Sequence, residues 1–111
     1  MSNISVKFNI KSASNYYLYN GSASLNRDII SFKDKEDEYY IDLSLKRIAR
    51  TSKKNYMMID FNKAFIEYKL NDLNTKIDIN IISYDIEDNV LKIKYKLEEE
   101  INVLLEWSSY E

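Results

Sequence analysis

The chain has 111 residues, 45% of them hydrophobic, with 16 basic against 18 acidic side chains and a formal net charge of -2. That is the length of one domain with a core that needs no staple, and the charge gives no support to nucleic-acid binding, which calls for net basic charge or a basic face. Cysteine and histidine are absent and glycine occurs once. This excludes disulfides, thiolate and imidazole chemistry, the usual zinc ligand sets and glycine-rich phosphate loops.

Period-two alternation, the sign of a half-buried strand, recurs along the chain. Ile4, Val6, Phe8 and Ile10 alternate with Ser5, Lys7 and Asn9. Weaker strand segments follow at residues 16–25 and 29–32, with Asn20-Gly21 as a hairpin turn pair or Gly21 as a bulge. Tyr39, Ile41, Leu43 and Leu45 form the next alternating set. Arg47–Thr51 and residues 56–60 are again weaker. Ala64, Ile66, Tyr68 and Leu70 alternate with Phe65, Glu67 and Lys69. Phe61, Ala64, Phe65 and Tyr68 also fit a helical period, but β-branched and aromatic content favours a strand. Residues 76–83 read as one strand carrying Ile77, Ile79 and Ile81. Leu91, Ile93, Tyr95 and Leu97 give another, and Ile101, Val103, Leu105 and Trp107 the last, with a turn at Glu98-Glu99-Glu100 between them.

Turns are expected at Asn26-Arg27-Asp28, residues 34–37, 52–55 and 71–74, and Glu87-Asp88-Asn89. Asn and Asp tolerate left-handed backbone and serve where glycine is missing. Eight to ten short strands on short connections predict one all-β domain over residues 1–111: a small antiparallel up-and-down β-barrel, or alternatively a β-sandwich. A barrel would also protect such a chain from edge-to-edge pairing. No apolar run is long enough to span a membrane, and the first residues do not read as a secretory signal. The expected location is therefore cytoplasmic.

The segment from Arg47 onward resembles the YwiB-like family of uncharacterised bacterial proteins. The pieces that carry the resemblance are Ile48-Ala49-Arg50, Met58-Ile59-Asp60-Phe61 and Ile66-Glu67-Tyr68-Lys69-Leu70, then the alternating strand at 76–83, the acidic turn at 85–89, Val90-Leu91-Lys92-Ile93-Lys94-Tyr95 and the closing strand at 102–107. Thr51-Ser52 and Asn71-Asp72 stand where the family tends to have a glycine. The resemblance implies a calycin-like (lipocalin-like) β-barrel of unknown function, a kind of fold that often holds a ligand in its mouth.

Arg50 shares a strand face with Ile48. A guanidinium buried there needs a carboxylate partner or an anionic ligand; an arginine at a strand end that reaches solvent is the plainer account. Tyr68 and Tyr95 fall on inward registers, where tyrosines fill a core or line a pocket. Tyr17, Phe65 and Leu104, with Tyr40, are apolar residues assigned to outward registers and are candidate interface positions. The ten tyrosines fit a low-GC genome and β-propensity, and an aromatic–basic surface at Tyr16, Tyr17 and Tyr19 with Lys7 and Lys11 lacks the charge of a single-strand binder. Asp34-Lys35-Glu36-Asp37-Glu38 lacks the spacing of a calcium loop and reads as a solvated turn. No carboxylate pair or serine–lysine arrangement stands out for catalysis.

The expectation is a non-enzymatic barrel without metal or cofactor, a monomer or homodimer. It would hold a small apolar or anionic ligand at Arg50, Tyr68 and Tyr95. The alternative is a protein–protein interaction or inhibitor module, for example phage-encoded, acting through its outer surface. Nucleic acid and membrane are not expected partners.

Overall fold

The computed structural model describes residues 2–109. They form eleven strands: β1 Ser2–Lys11, β2 Tyr16–Asn26, β3 Ile29–Asp34, β4 Asp37–Asp42, β5 Arg47–Thr51, β6 Asn55–Asp60, β7 Phe65–Leu70, β8 Leu73–Asp78, β9 Asn80–Glu87, β10 Val90–Leu97 and β11 Glu99–Ser109. Among the described residues there is no helix, so the alternation at 64–70 is a strand, as its side chains favoured. The protein is all-β, antiparallel and up-and-down, in hydrogen-bonded order β8-β7-β6-β5-β4-β3-β2-β1-β11-β10-β9. The first strand pairs with the last, and β8 and β9 end the order.

The strands divide into two compact units, one of residues 23–78 with Ser2, the other of residues 3–22 and 79–109. In the first unit a single row of aliphatic side chains crosses seven strands. Leu25 faces Ile30, and the row continues through Ile41, Ile48, Ile59 and Ile66 to Ile77. The five isoleucines from Ile30 to Ile66 are at most 7% exposed. Each contributes roughly 2–3 kcal/mol over an exposed side chain. A slip of one residue in any of these strands would turn its isoleucine to the opposite face, so the row pins the register.

Two loops of this unit are built alike. Asp42 Oδ1 accepts the backbone N–H groups of Ser44 and Leu45 at 3.0 and 2.9 Å, and Lys46 follows with φ 58°. Asp60 Oδ1 accepts those of Asn62 and Lys63 at 2.9 and 2.8 Å, and Ala64 follows with φ 62°. An aspartate that bonds the backbone two and three residues on takes the place of a turn glycine. The loops touch through the Phe61 N–H, which donates to the Lys46 carbonyl at 2.8 Å. The first loop ends β4 at Asp42, so the strand expected through Leu45 stops short, and Leu45 is exposed.

In the second unit, Phe8, Leu105, Leu91 and Ile86 form one row across β1, β11, β10 and β9, and Ile10, Val103, Ile93 and Tyr84 the next. The β9–β10 register shifts between Lys94 and Tyr95, leaving Ile82 as the extra residue of a bulge. Asp88 and Asn89, both at positive φ, form the two-residue primed turn between Glu87 and Val90.

Three local expectations are corrected. Gly21 lies inside β2 and not in a turn. The Tyr19 hydroxyl donates to the Ser22 carbonyl at 2.6 Å, and a Cβ on Gly21 would stand 3.0 Å from that hydroxyl oxygen. The glycine makes room for the ring. The turn expected over 71–74 is confined to Asn71-Asp72, and β8 begins at Leu73. The single strand expected over 76–83 is divided at Ile79, a buried residue between β8 and β9.

Candidate ligand-binding site

One pleat along from the isoleucine row, the first unit carries a second row on the same face: Phe32, Tyr39, Arg50, Met57, Tyr68 and Thr75. Phe32 and Tyr39 are buried and stack with ring centroids 5.1 Å apart. Arg50 therefore shares its face with Ile48, as strand counting required. Its direct neighbours are Tyr39 on β4 and Met57 on β6. Neither offers a carboxylate.

The Arg50 Nε is buried and has no hydrogen-bond partner among the described residues. A buried donor left unmade costs about 1–3 kcal/mol, and more when charged. Most natural buried donors are satisfied, so an exception needs an explanation. Tyr68 stands two strands from Arg50 in the same row, roughly 10 Å at the usual interstrand spacing. It is half-buried, and no carboxylate faces it in the row. The unpaired charge and Tyr68 make this row a place where a planar anion would meet a guanidinium fork and a phenol.

Arg47, three residues earlier, supplies the contrast. Its Nε lies 3.1 Å from Oδ2 of Asp60, which is 1% exposed. Burial pushes the Asp60 carboxyl up, but the N–H groups of Lys63 and Asn62 and the Arg47 guanidinium outweigh it and hold the group below its ordinary value. This buried carboxylate went unnoticed in the sequence. The repeat of an aspartate at the end of β4 and of β6, each before a four-residue turn, is the signal that could have found it.

Tyr95 lies in the second unit and is no part of this row. It is buried, and burial pushes its hydroxyl up to about 12. Phe65 is half-buried with the Lys76 ammonium 4.0 Å over its ring. Tyr17 meets the buried Phe8 edge-on with centroids 6.2 Å apart, which turns it to the face Phe8 occupies and not outward. Tyr40 is exposed and donates to Glu38 at 2.7 Å.

Leu104 lines a groove of about 770 Å³ on the outward register of the second unit, with Asn9, Lys11, Lys92, Lys94 and Asn102 around it. Lys94 pairs with Glu100 at 3.6 Å, and Lys92 faces Asp85 on β9. The charges in the groove are therefore largely matched by their own neighbours. The groove went unnoticed in the sequence because its lining comes from four strands and the segment after β1, which no single stretch of the sequence brings together.

No family model matches the chain, and no curated protein matches it. Among solved structures the chain is similar to the ywiB protein from Bacillus subtilis, with 11% sequence identity, 98% of this chain and 91% of that chain covered, and a TM-score of 0.49.

Proposed function

We propose that the chain is a non-enzymatic binding protein that takes a small anionic molecule, a carboxylate or phosphate ester, against Arg50, with Tyr68 as a second donor. The observation that carries this reading is the buried Arg50 Nε with no partner among the described residues. An anion with two coplanar oxygens satisfies the Nε and a terminal nitrogen together, a geometry that lysine does not match. The stacked Phe32–Tyr39 pair and Met57 flank the guanidinium with apolar surface, which strengthens a charge-assisted bond by keeping water from competing. Tyr95 carries no part of this reading. Membership of the YwiB-like family and a calycin-like barrel belong to it, supported by the sequence pieces from Ile48 onward; a cytoplasmic location belongs to it as well.

The reading is tested by thermal unfolding in inorganic phosphate or benzoate against chloride at equal ionic strength, for the wild type and for Arg50→Met. A ligand present at a hundred times its dissociation constant stabilises by about 2.7 kcal/mol. A rise in Tm confined to the wild type supports the site. An equal response in both proteins is a general salt effect and rejects it.

The position of Leu104 in the outward groove favours a second reading, an interaction module acting through that surface. Replacing Leu104 by Asp would then abolish partner binding and leave the anion response unchanged.

A further inference from the structure

β8 ends the hydrogen-bonded order, and all six of its residues are exposed. Leu73 is 71% exposed and Ile77 40%, although Ile77 continues the row that is buried up to Ile66. The row thus runs out of cover at an edge that pairs with no further strand among the described residues. Leu70 and Leu73 face each other across the two-residue loop Asn71-Asp72. A tight hairpin of that length makes its flanking pair a hydrogen-bonded one. The alternation of antiparallel ladders then turns the backbone N–H and C=O groups of Asn74, Lys76 and Asp78 away from β7. Edges of this kind are usually blunted by a lysine. Here the Lys76 ammonium is drawn back over the Phe65 ring at 4.0 Å.

We infer that β8 is a self-pairing edge and that the protein forms a symmetric dimer by antiparallel β8–β8 addition about Thr75. The sequence of β8 is complementary to itself in that register. Thr75 faces Thr75 of the second copy, Leu73 faces Ile77, and Asn74 faces Lys76. Every opposed pair stays on its own face, as a two-fold contact requires. The aliphatic row of one copy, ending Ile66–Ile77, then continues into Leu73 and Leu70 of the other. Backbone groups of Asn74 and Lys76 complete a ladder in each direction. Asp72 meets Asp78 at each rim, so added salt screens a repulsion and tightens the dimer.

The test is light scattering with size-exclusion chromatography on the full chain, together with hydrogen exchange. The wild type is expected at twice its 13.2 kDa. Thr75→Lys and Thr75→Glu are each expected at the monomer mass, because the substitution sets like charges against each other at the two-fold axis. An equimolar mixture of the two is expected to recover the dimer. In the wild type, amide protection at Asn74 and Lys76 should rise with protein concentration, a readout independent of any variant. A wild type at 13.2 kDa with concentration-independent protection in β8 overturns the inference, as does a dimer that survives both substitutions.

Discussion

Arg47 donates its Nε to Oδ2 of Asp60 at 3.1 Å, while Asp60 Oδ1 takes the N–H groups of Asn62 and Lys63. Three donors therefore converge on one carboxylate that is 1% exposed. Asp60→Ala leaves two backbone donors and part of a guanidinium without acceptors, an expected loss of about 2–3 kcal/mol. Urea unfolding measures it, and a loss below about 0.5 kcal/mol would show that water replaces the carboxylate without penalty.

The same carboxyl gives a pH dependence. Its folded value lies below the ordinary 3.8, so the folded state favours the ionised form. That stability is fully present above the unfolded carboxyl range and is lost as pH falls through the folded value. As pH falls below the ordinary carboxyl value of 3.8, the wild type should lose stability that Asp60→Asn does not lose. Parallel pH profiles of the two proteins would contradict the assignment.

Ala64 sits at φ 62° with its N–H bonded to the Asp60 carbonyl at 2.9 Å. Left-handed backbone costs an L-residue roughly 1–2 kcal/mol. Ala64→Gly should stabilise by about 1 kcal/mol after the glycine's own chain entropy is counted, raising Tm by about 4 °C in a chain of this size. Lys46→Gly, at the equivalent place of the neighbouring loop, should act alike. A fall in Tm for both would mean that the two loops do not share one design.

Gly21→Ala should force the Tyr19 ring away and break its 2.6 Å bond to the Ser22 carbonyl, at a cost of about 1 kcal/mol. Tyr19→Phe removes the hydroxyl in the way. The double variant should therefore be more stable than the sum of the single effects allows. Strict additivity in a double-mutant cycle would place the two residues out of contact.

Tyr95 should titrate late, near 12, because burial penalises its phenolate. The folded value lies above the unfolded one, near 10. Stability is therefore undiminished by this group below about pH 10 and falls as pH rises above it. Ultraviolet titration of the wild type against Tyr95→Phe isolates the late step; an unchanged titration curve would refute it.

Strand positions were legible because each strand carries its own period. The isoleucines alternate with polar residues, and six strands place one in the same row. Arg50 and Tyr68 were placed on one face by counting alone, since alternation survives any error in strand order. Reading failed where geometry depends on something other than alternation. Gly21 resembles a turn glycine, but a tyrosine two residues earlier makes it a strand glycine. The strands part at Ile79, which keeps the alternation of Ile77 and Ile81 unbroken, so the two look like one. Tyr17 meets the ring of Phe8, a contact that its exposed neighbours Tyr16 and Leu18 do not reveal. Asp60 alternates as an outward residue and is buried by the loop that follows it.

On the proposed function, the Arg50 Nε is left without a protein acceptor so that an anion can take it. Arg50 is half-buried, but its Nε is a buried donor without an acceptor among the described residues, which costs stability, and an apolar side chain of similar length removes that cost. Native mass spectrometry of gently purified wild type and Arg50→Met, with and without benzoate or a phosphate ester and each compared with its denatured mass, tests this most directly. The account expects an adduct on the wild type that vanishes on denaturation and is missing from Arg50→Met, with the ligand-free variant at least as stable as the wild type. A bare wild type at every ligand concentration, or an adduct retained by Arg50→Met, would contradict it.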